Sequence, residues 1–357
     1  MQDKSTEVLQ VSARQPEPAI IERAAALLRA GEIVVFPTET VYGLGGDALQ
    51  PRALESIFAA KGRPLNDPLI LHIAEEHDLE MIVTQVPPQA HQLIRVFWPG
   101  PLTLILPASE RVPRLATAGL PTVAVRMPGH PVSRALIQAT GSPIAAPSAN
   151  RFMHVSPTSA QHALADLHGR VPLILDGGAC QVGVESTILD LSAEQPTILR
   201  PGGVSLEALR TVLPTIKLLP KLKASDDQES EAKKAPGQMS VHYSPAVPAL
   251  LFEGSEEEMR ANMLAEIRRY QAQGQAVGVL IADEDRIPFQ GSGAHVYSLG
   301  SSTHPEQIAG RLYAGLRTLE EAGVSIILCR NFTEQGLGLA VRDRLSKATG
   351  GNIFRRQ

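Results

Sequence analysis

The chain has 357 residues, beyond the size at which one hydrophobic core keeps growing, so two domains are the starting expectation. Apolar residues make up 43% and charged residues 20%, which supplies material for two cores and excludes bulk disorder. Lys and Arg total 33 against 37 Asp and Glu, a formal charge of −4, so no global positive field draws the chain to nucleic acid or anionic lipid, while a local basic pocket remains compatible with it.

Met1 to Glu17 is polar and lacks the basic start and apolar run of a secretory signal; no later stretch is long and apolar enough to span a bilayer. Pro18 to Arg29 has apolar residues at helical spacing and stops at Gly31, after which Ile33 to Phe36 reads as a short buried strand. Further strands are predicted at Leu69 to Ile73, Leu102 to Leu106, Thr122 to Arg126, Ile144 to Ala146, Leu173 to Leu175, Ser186 to Leu191 and Thr197 to Leu199. Their uneven spacing and Pro- and Gly-rich connections predict a twisted mixed α/β sheet. A helix follows around Ser205 to Val212, and then Lys217 to Gln238 turns polar and poor in aromatics, as a solvated linker does. Beyond it strands at Ala249 to Phe252, Ala276 to Ile281, Val296 to Leu299 and Ser325 to Cys329 alternate with helices at Glu256 to Gln273, Pro305 to Ala322 and Leu339 to Thr349, predicting a smaller parallel α/β domain. The cysteines, Cys180 and Cys329, lie far apart, which argues against a disulfide framework and places the chain in the cytosol; both read as buried.

Four groups of residues could carry chemistry. Phe36-Pro-Thr-Glu-Thr-Val-Tyr-Gly-Leu-Gly-Gly46 follows a strand and reads as a loop that brings backbone N–H groups close to a ligand, or as a tight turn needing positive φ. Its Gly43, Gly45 and Ala48 formally fit a dinucleotide fingerprint, but they come late after the strand and no ribose-binding acid follows. Lys61-Gly-Arg63-Pro-Leu-Asn66-Asp67 pairs a point charge with a planar fork, which suits polyphosphate as well as a solvated surface; His72 follows in a strand. Arg126, closing a strand, can bind a carboxylate bidentately, and Ser148 and Asn150 fit either ligand contacts or a helix cap. Gly183-Val-Glu-Ser186-Thr-Ile-Leu-Asp190 and Leu199-Arg200-Pro-Gly202 complete the series, with His242-Tyr-Ser-Pro245 directly after the linker.

In this order the motifs Pro37-Thr-Glu-Thr-Val-Tyr-Gly-Leu-Gly45, Lys61-Gly-Arg63-Pro64, Asn66-Asp67-Pro68-Leu69, Val125-Arg126-Met-Pro128, Pro147-Ser-Ala-Asn150, Glu185-Ser-Thr-Ile188 and Arg200-Pro-Gly202 resemble the Sua5, YrdC and YwlC family of threonylcarbamoyl-AMP synthases, and the length matches its two-domain Sua5 type. The resemblance implies a YrdC-like sheet with a basic concave pocket at residues 12–212, a linker at 213–245 and a Rossmann-like C-terminal domain at 246–357. It also implies the reaction: threonine's amine captures bicarbonate, and the carbamate attacks the α-phosphate of ATP, with Mg²⁺ carried by the phosphates. The product passes to a transferase that modifies adenosine 37 of tRNA. By motif position Thr40, His72, Arg126, Ala146 and Ser186 surround threonine, while Lys61, Arg63, Asp67, Thr122, Ser148, Asn150, Ser156, Arg200 and Tyr243 contact the nucleotide. Lys61, Arg63 and His72 are the catalytic candidates.

This mapping suits adenylyl transfer, which needs alignment and charge neutralisation rather than a nucleophilic side chain. His72 neighbours the threonine ammonium as base or as positioning group. The segment Pro236 to Pro245 is expected to fold over the pocket as a gate. Two other readings stand beside this one: an RNA-binding module, and a carbamoyl-transfer domain acting on another acceptor. The acidic net charge weighs against the first, the lack of a Cys-x-x-Cys pair against the second.

Overall fold

The computed structural model describes residues 5–219, 234–236 and 243–355. They fall into two compact units, one of residues 5–152, 156–219 and 234–236, the other of residues 153–155 and 243–355.

In chain order the strands of the first unit are β1 (Glu7–Gln10), β2 (Val34–Phe36), β3 (Gly43–Asp47), β4 (Ile70–His72), β5 (Leu102–Pro107), β6 (Thr122–Arg126), β7 (Ile144–Ala145), β8 (Leu173–Asp176), β9 (Thr187–Asp190), β10 (Thr197–Arg200) and β11 (Lys217–Leu218). Among the described residues they form one mixed sheet in the order β1-β8-β2-β3-β7-β4-β6-β5-β9-β10-β11. Its helices are α1 (Pro18–Arg29), α2 (Pro51–Lys61), α3 (Leu79–Ile82), α4 (Pro88–Phe97), α5 (Pro131–Thr140), α6 (Ala160–Leu167) and α7 (Leu206–Val212).

Strand alternation sorts the side chains between two faces. Leu71, Val125, Leu104 and Leu189 enter the main core, which also takes residues of α2, α4 and α6. On the opposite face α1 and α5 cover Val34, Phe36, Ile144 and Ala146. Farther along that face the register of β4, β6 and β5 sets Ile70, Ala124 and Ile105 in one row and His72, Arg126 and Thr103 in the next. An apolar row therefore lies beside a polar one. Ala235, fully buried, joins the cluster of Ile70, Ala124, Ile105 and Ile188.

Three sequence readings change here. Gly43–Asp47, read as a ligand-binding loop or a tight turn, is strand β3, antiparallel to β2 and β7. Its glycines serve packing: a Cβ on Gly45 would come within 2.6 Å of the Phe36 ring and 2.8 Å of Ile144. The polar N-terminus carries β1, an edge strand with mostly exposed side chains and hence no apolar alternation to reveal it. Lys217–Leu218, assigned to the linker, pair with β10 as β11.

In the second unit β12 (Ala249–Phe252), β13 (Val277–Ile281), β14 (His295–Ser298) and β15 (Ile326–Arg330) form a parallel sheet in the order β12-β15-β13-β14. Helices α8 (Glu256–Ala272), α9 (Arg286–Phe289), α10 (Pro305–Glu321) and α11 (Gly338–Ala348) connect and follow these strands; α8, α10 and α11 are the helices expected from the sequence, and the short α9 is not among them. Ser255 starts α8 with a capping box: its hydroxyl accepts from Glu258 N, and the Glu258 carboxylate accepts from Ser255 N at 2.8 Å. No helix among the described residues is long and apolar enough to cross a membrane.

Candidate functional site

α2 ends at Lys61, and Gly62 at φ +67° turns the chain left-handed, so Lys61 and Arg63 leave the helix end in different directions. The Lys61 ammonium donates to the carbonyl oxygens of Ser148 and Asn150, each at 2.5 Å. The same loop is tied to β3 and its approach, with Leu44 N on Pro147 O at 2.9 Å and Ala149 N on Tyr42 O at 2.8 Å. Ser148 and Asn150 cap no helix; the next one, α6, begins at Ala160 under Ser159. Burial, and then the charge of Arg63, hold the Lys61 ammonium well below the usual lysine range.

Arg63 donates to Pro68 O at 2.7 Å and stands 3.0 Å from Asp67 Oδ2, with both side chains buried. Burial raises the Asp67 pKa, against the pull of Arg63, Lys61 and Arg200, so all three cations act on one carboxylate. Thr122 opens β6, two residues before Ala124, and pairs with Pro107 of β5. Ser156 donates to Glu185 Oε1 at 2.7 Å.

The polar row continues the site. Arg126 donates through Nε to Gly100 O at 3.1 Å, through Nη1 to Thr40 Oγ1 at 2.9 Å and through Nη2 to Glu39 Oε1 at 2.6 Å. His72, its register partner, is buried edge-on to Phe36 and its Nδ1 has no hydrogen-bond partner among the described residues. Burial, and then Arg126, push the His72 pKa down to about 3. Ser186 Oγ lies 2.8 Å from Thr103 Oγ1 and accepts from Arg200 Nη2 at 3.2 Å. Arg200 also donates to Ser186 O at 3.0 Å and to Pro236 O at 3.2 Å. Ala146 donates its N–H to Ile70 O at 3.0 Å, at the apolar edge of this row.

Tyr243 belongs to the second unit, buried with its ring centroid 5.8 Å from that of Tyr313 and the Arg344 guanidinium 5.0 Å away. His242 lies outside the described residues.

Lys61 and Arg200 are oriented by hydrogen bonds to neutral carbonyls and a hydroxyl, which fix their direction. A polyphosphate meets such charges with little reorganisation. Thr103 and Glu39 were not singled out from the sequence. A buried hydroxyl in Leu-Thr-Leu-Ile-Leu, two residues before Ile105 on the site face, was the signal for Thr103.

Residues 26–202 match the Sua5/yciO/yrdC domain family, described as "Telomere recombination", and residues 204–350 match "Threonylcarbamoyl-AMP synthase, C-terminal domain". The threonylcarbamoyl-AMP synthase of Pyrococcus abyssi is 43% identical over 94% of this chain and 95% of its own, and that of Bacillus subtilis 44% identical over 94% of both. The structure of Pyrococcus abyssi Sua5 complexed with L-threonine superposes with a TM-score of 0.90 at 42% identity, covering 98% of this chain and all of that one. The chain belongs to the threonylcarbamoyl-AMP synthase family, in its two-domain Sua5 type.

Proposed function

We propose that the first unit makes L-threonylcarbamoyl-AMP and pyrophosphate from L-threonine, bicarbonate and ATP. The observation that carries this reading is the continuous set of buried polar groups from His72 and Arg126 through Thr103 and Ser186 to Arg200, with the Lys61 clamp acting on the same carboxylate as Arg200. Arg126, Thr40, His72, Ala146 and Ser186 hold threonine; Lys61, Arg63, Asp67, Thr122, Ser148, Asn150, Ser156 and Arg200 hold the nucleotide. Tyr243 keeps its nucleotide assignment from the motif alone.

The carbamate oxygen attacks the α-phosphorus, and the charge that moves onto pyrophosphate is met by Lys61, Arg63 and Arg200. Burial and then Arg126 lower the His72 pKa and weaken the imidazole as a base, which favours a positioning role for it. Mg²⁺ enters as part of the MgATP substrate, carried by the phosphates. The product goes to a transferase that modifies adenosine 37 of tRNA, in the cytoplasm, where two free buried cysteines stay reduced. The buried position of the site's cations favours a small ligand over an RNA surface. Pyrophosphate release from MgATP, with threonine and bicarbonate omitted in turn, tests the assignment. Release that continues without either one overturns it.

A further inference from the structure

The geometry points to Glu39 as the group that receives the α-ammonium of the amino-acid substrate, an inference that rests on the threonine reading above. Glu39 Oε1 accepts from Arg126 at 2.6 Å, while Oε2 is shut off from solvent and has no partner among the described residues. A buried carboxylate oxygen without a partner is unfavourable, and an arriving donor would relieve it.

The carboxylate is set in place before any ligand arrives. Val182 N donates to Glu39 O at 2.8 Å and Gly183 N to Thr40 O at 3.1 Å, which pins the loop on either side of the peptide. Opposite stands Gly129, where even a Cβ would lie 3.5 Å from Glu39 Cδ. Apart from Arg126, which is bonded to Oε1, the ionisable neighbours His130 and Cys180 offer Oε2 no charge to pair with. Burial lowers the His130 pKa and raises that of Cys180, which favours the uncharged form of both.

Charge decides what fits. Each Nη of Arg126 carries a second N–H beyond the bonds to Thr40 and Glu39, so an α-carboxylate can dock while Glu39 stays in place. The Arg126–Glu39 pair is neutral as a unit, and so is an amino-acid zwitterion. Pairing carboxylate with Arg126 and ammonium with Glu39 buries no net charge, whereas a carboxylate alone would bury one. The site thereby selects α-amino acids over the matching hydroxy acids before the side chain is read.

The test is calorimetry on the full chain with L-threonine and with 2,3-dihydroxybutanoate, which carries a hydroxyl where threonine has its ammonium. Glu39→Gln should weaken threonine binding about tenfold or more and the hydroxy acid by less than about threefold. Glu39→Asp, which keeps the charge, should retain the preference for threonine. Equal weakening of both ligands would mean that Glu39 only holds Arg126. Tighter threonine binding would make Glu39 a placeholder that the substrate expels. Either result overturns the inference, as does loss of the preference in Glu39→Asp should Glu39→Gln fail to fold. Wild-type pyrophosphate release that ignores threonine would defeat the underlying reading separately, whatever the calorimetry shows.

Discussion

Lys61 donates its ammonium to the carbonyl oxygen of Ser148 at 2.5 Å and, at the same distance, to that of Asn150, so a helix end holds the turn that leaves β7. Lys61→Ala removes a charge and also strands buried carbonyls, at roughly 1–3 kcal/mol. The variant should melt earlier, and its ATP affinity should fall about 100-fold while threonine affinity stays within about threefold. Equal loss of both ligands in titrations would show that Lys61 only supports the fold.

Arg126 is the opposite case, since its charge is matched by Glu39 and its value lies in its planar fork. Arg126→Lys keeps the charge and loses the fork. The KM for threonine should rise about 100-fold with ATP affinity nearly unchanged, since a bidentate carboxylate contact is replaced by a point charge. Steady-state kinetics with each substrate varied in turn would reveal it; a selective rise in the KM for ATP would move Arg126 to the nucleotide half.

His72 makes a prediction about pH. Its folded pKa of about 3 lies below the ordinary 6.5, so the unfolded chain takes up a proton that the folded chain refuses. The neutral ring's contribution to stability is complete above pH 6.5 and is lost as pH falls from 6.5 towards 3. His72→Asn should flatten the acid side of the Tm–pH curve. It should also leave the shape of the kcat/KM profile near pH 6.5 unchanged. A titration near pH 6.5 that vanishes in His72→Asn would restore His72 as the base.

Much of this was legible because buried strands announce themselves: Leu102–Pro107 and Val277–Ile281 are apolar runs that need no context. The C-terminal alternation of strand and helix likewise predicted a parallel sheet. What escaped was set by neighbours far along the chain. Gly43–Asp47 has low strand propensity and forms a strand through its pairing with β2 and β7, where Phe36 and Ile144 leave room only for glycine at position 45. Lys61 and Arg63 resembled a solvated pair, and only the fold turns them inward onto Ser148, Asn150 and Pro68. The two rows on the site face needed the register of β4, β6 and β5, which no local pattern encodes.

That register also bears on the linker. Ala235 is fully buried against Ile70, Ala124, Ile105 and Ile188, and Pro236 O accepts from Arg200, so Ala235 covers the apolar row while Pro236 is tied to a cation of the polar one. We hypothesise that this segment closes the pocket over the nucleotide. Ala235→Glu would put an unpaired charge into an apolar cluster, at a cost of several kcal/mol that seating the segment cannot recover. The first unit should stay folded because its own strands and helices supply the main core. Dissociation of a fluorescent ATP analogue should then accelerate about tenfold or more in stopped flow, with kcat falling as closure becomes rare. Unchanged dissociation and turnover would reduce Ala235 to a packing residue, and the pocket would have to close by another part of the chain.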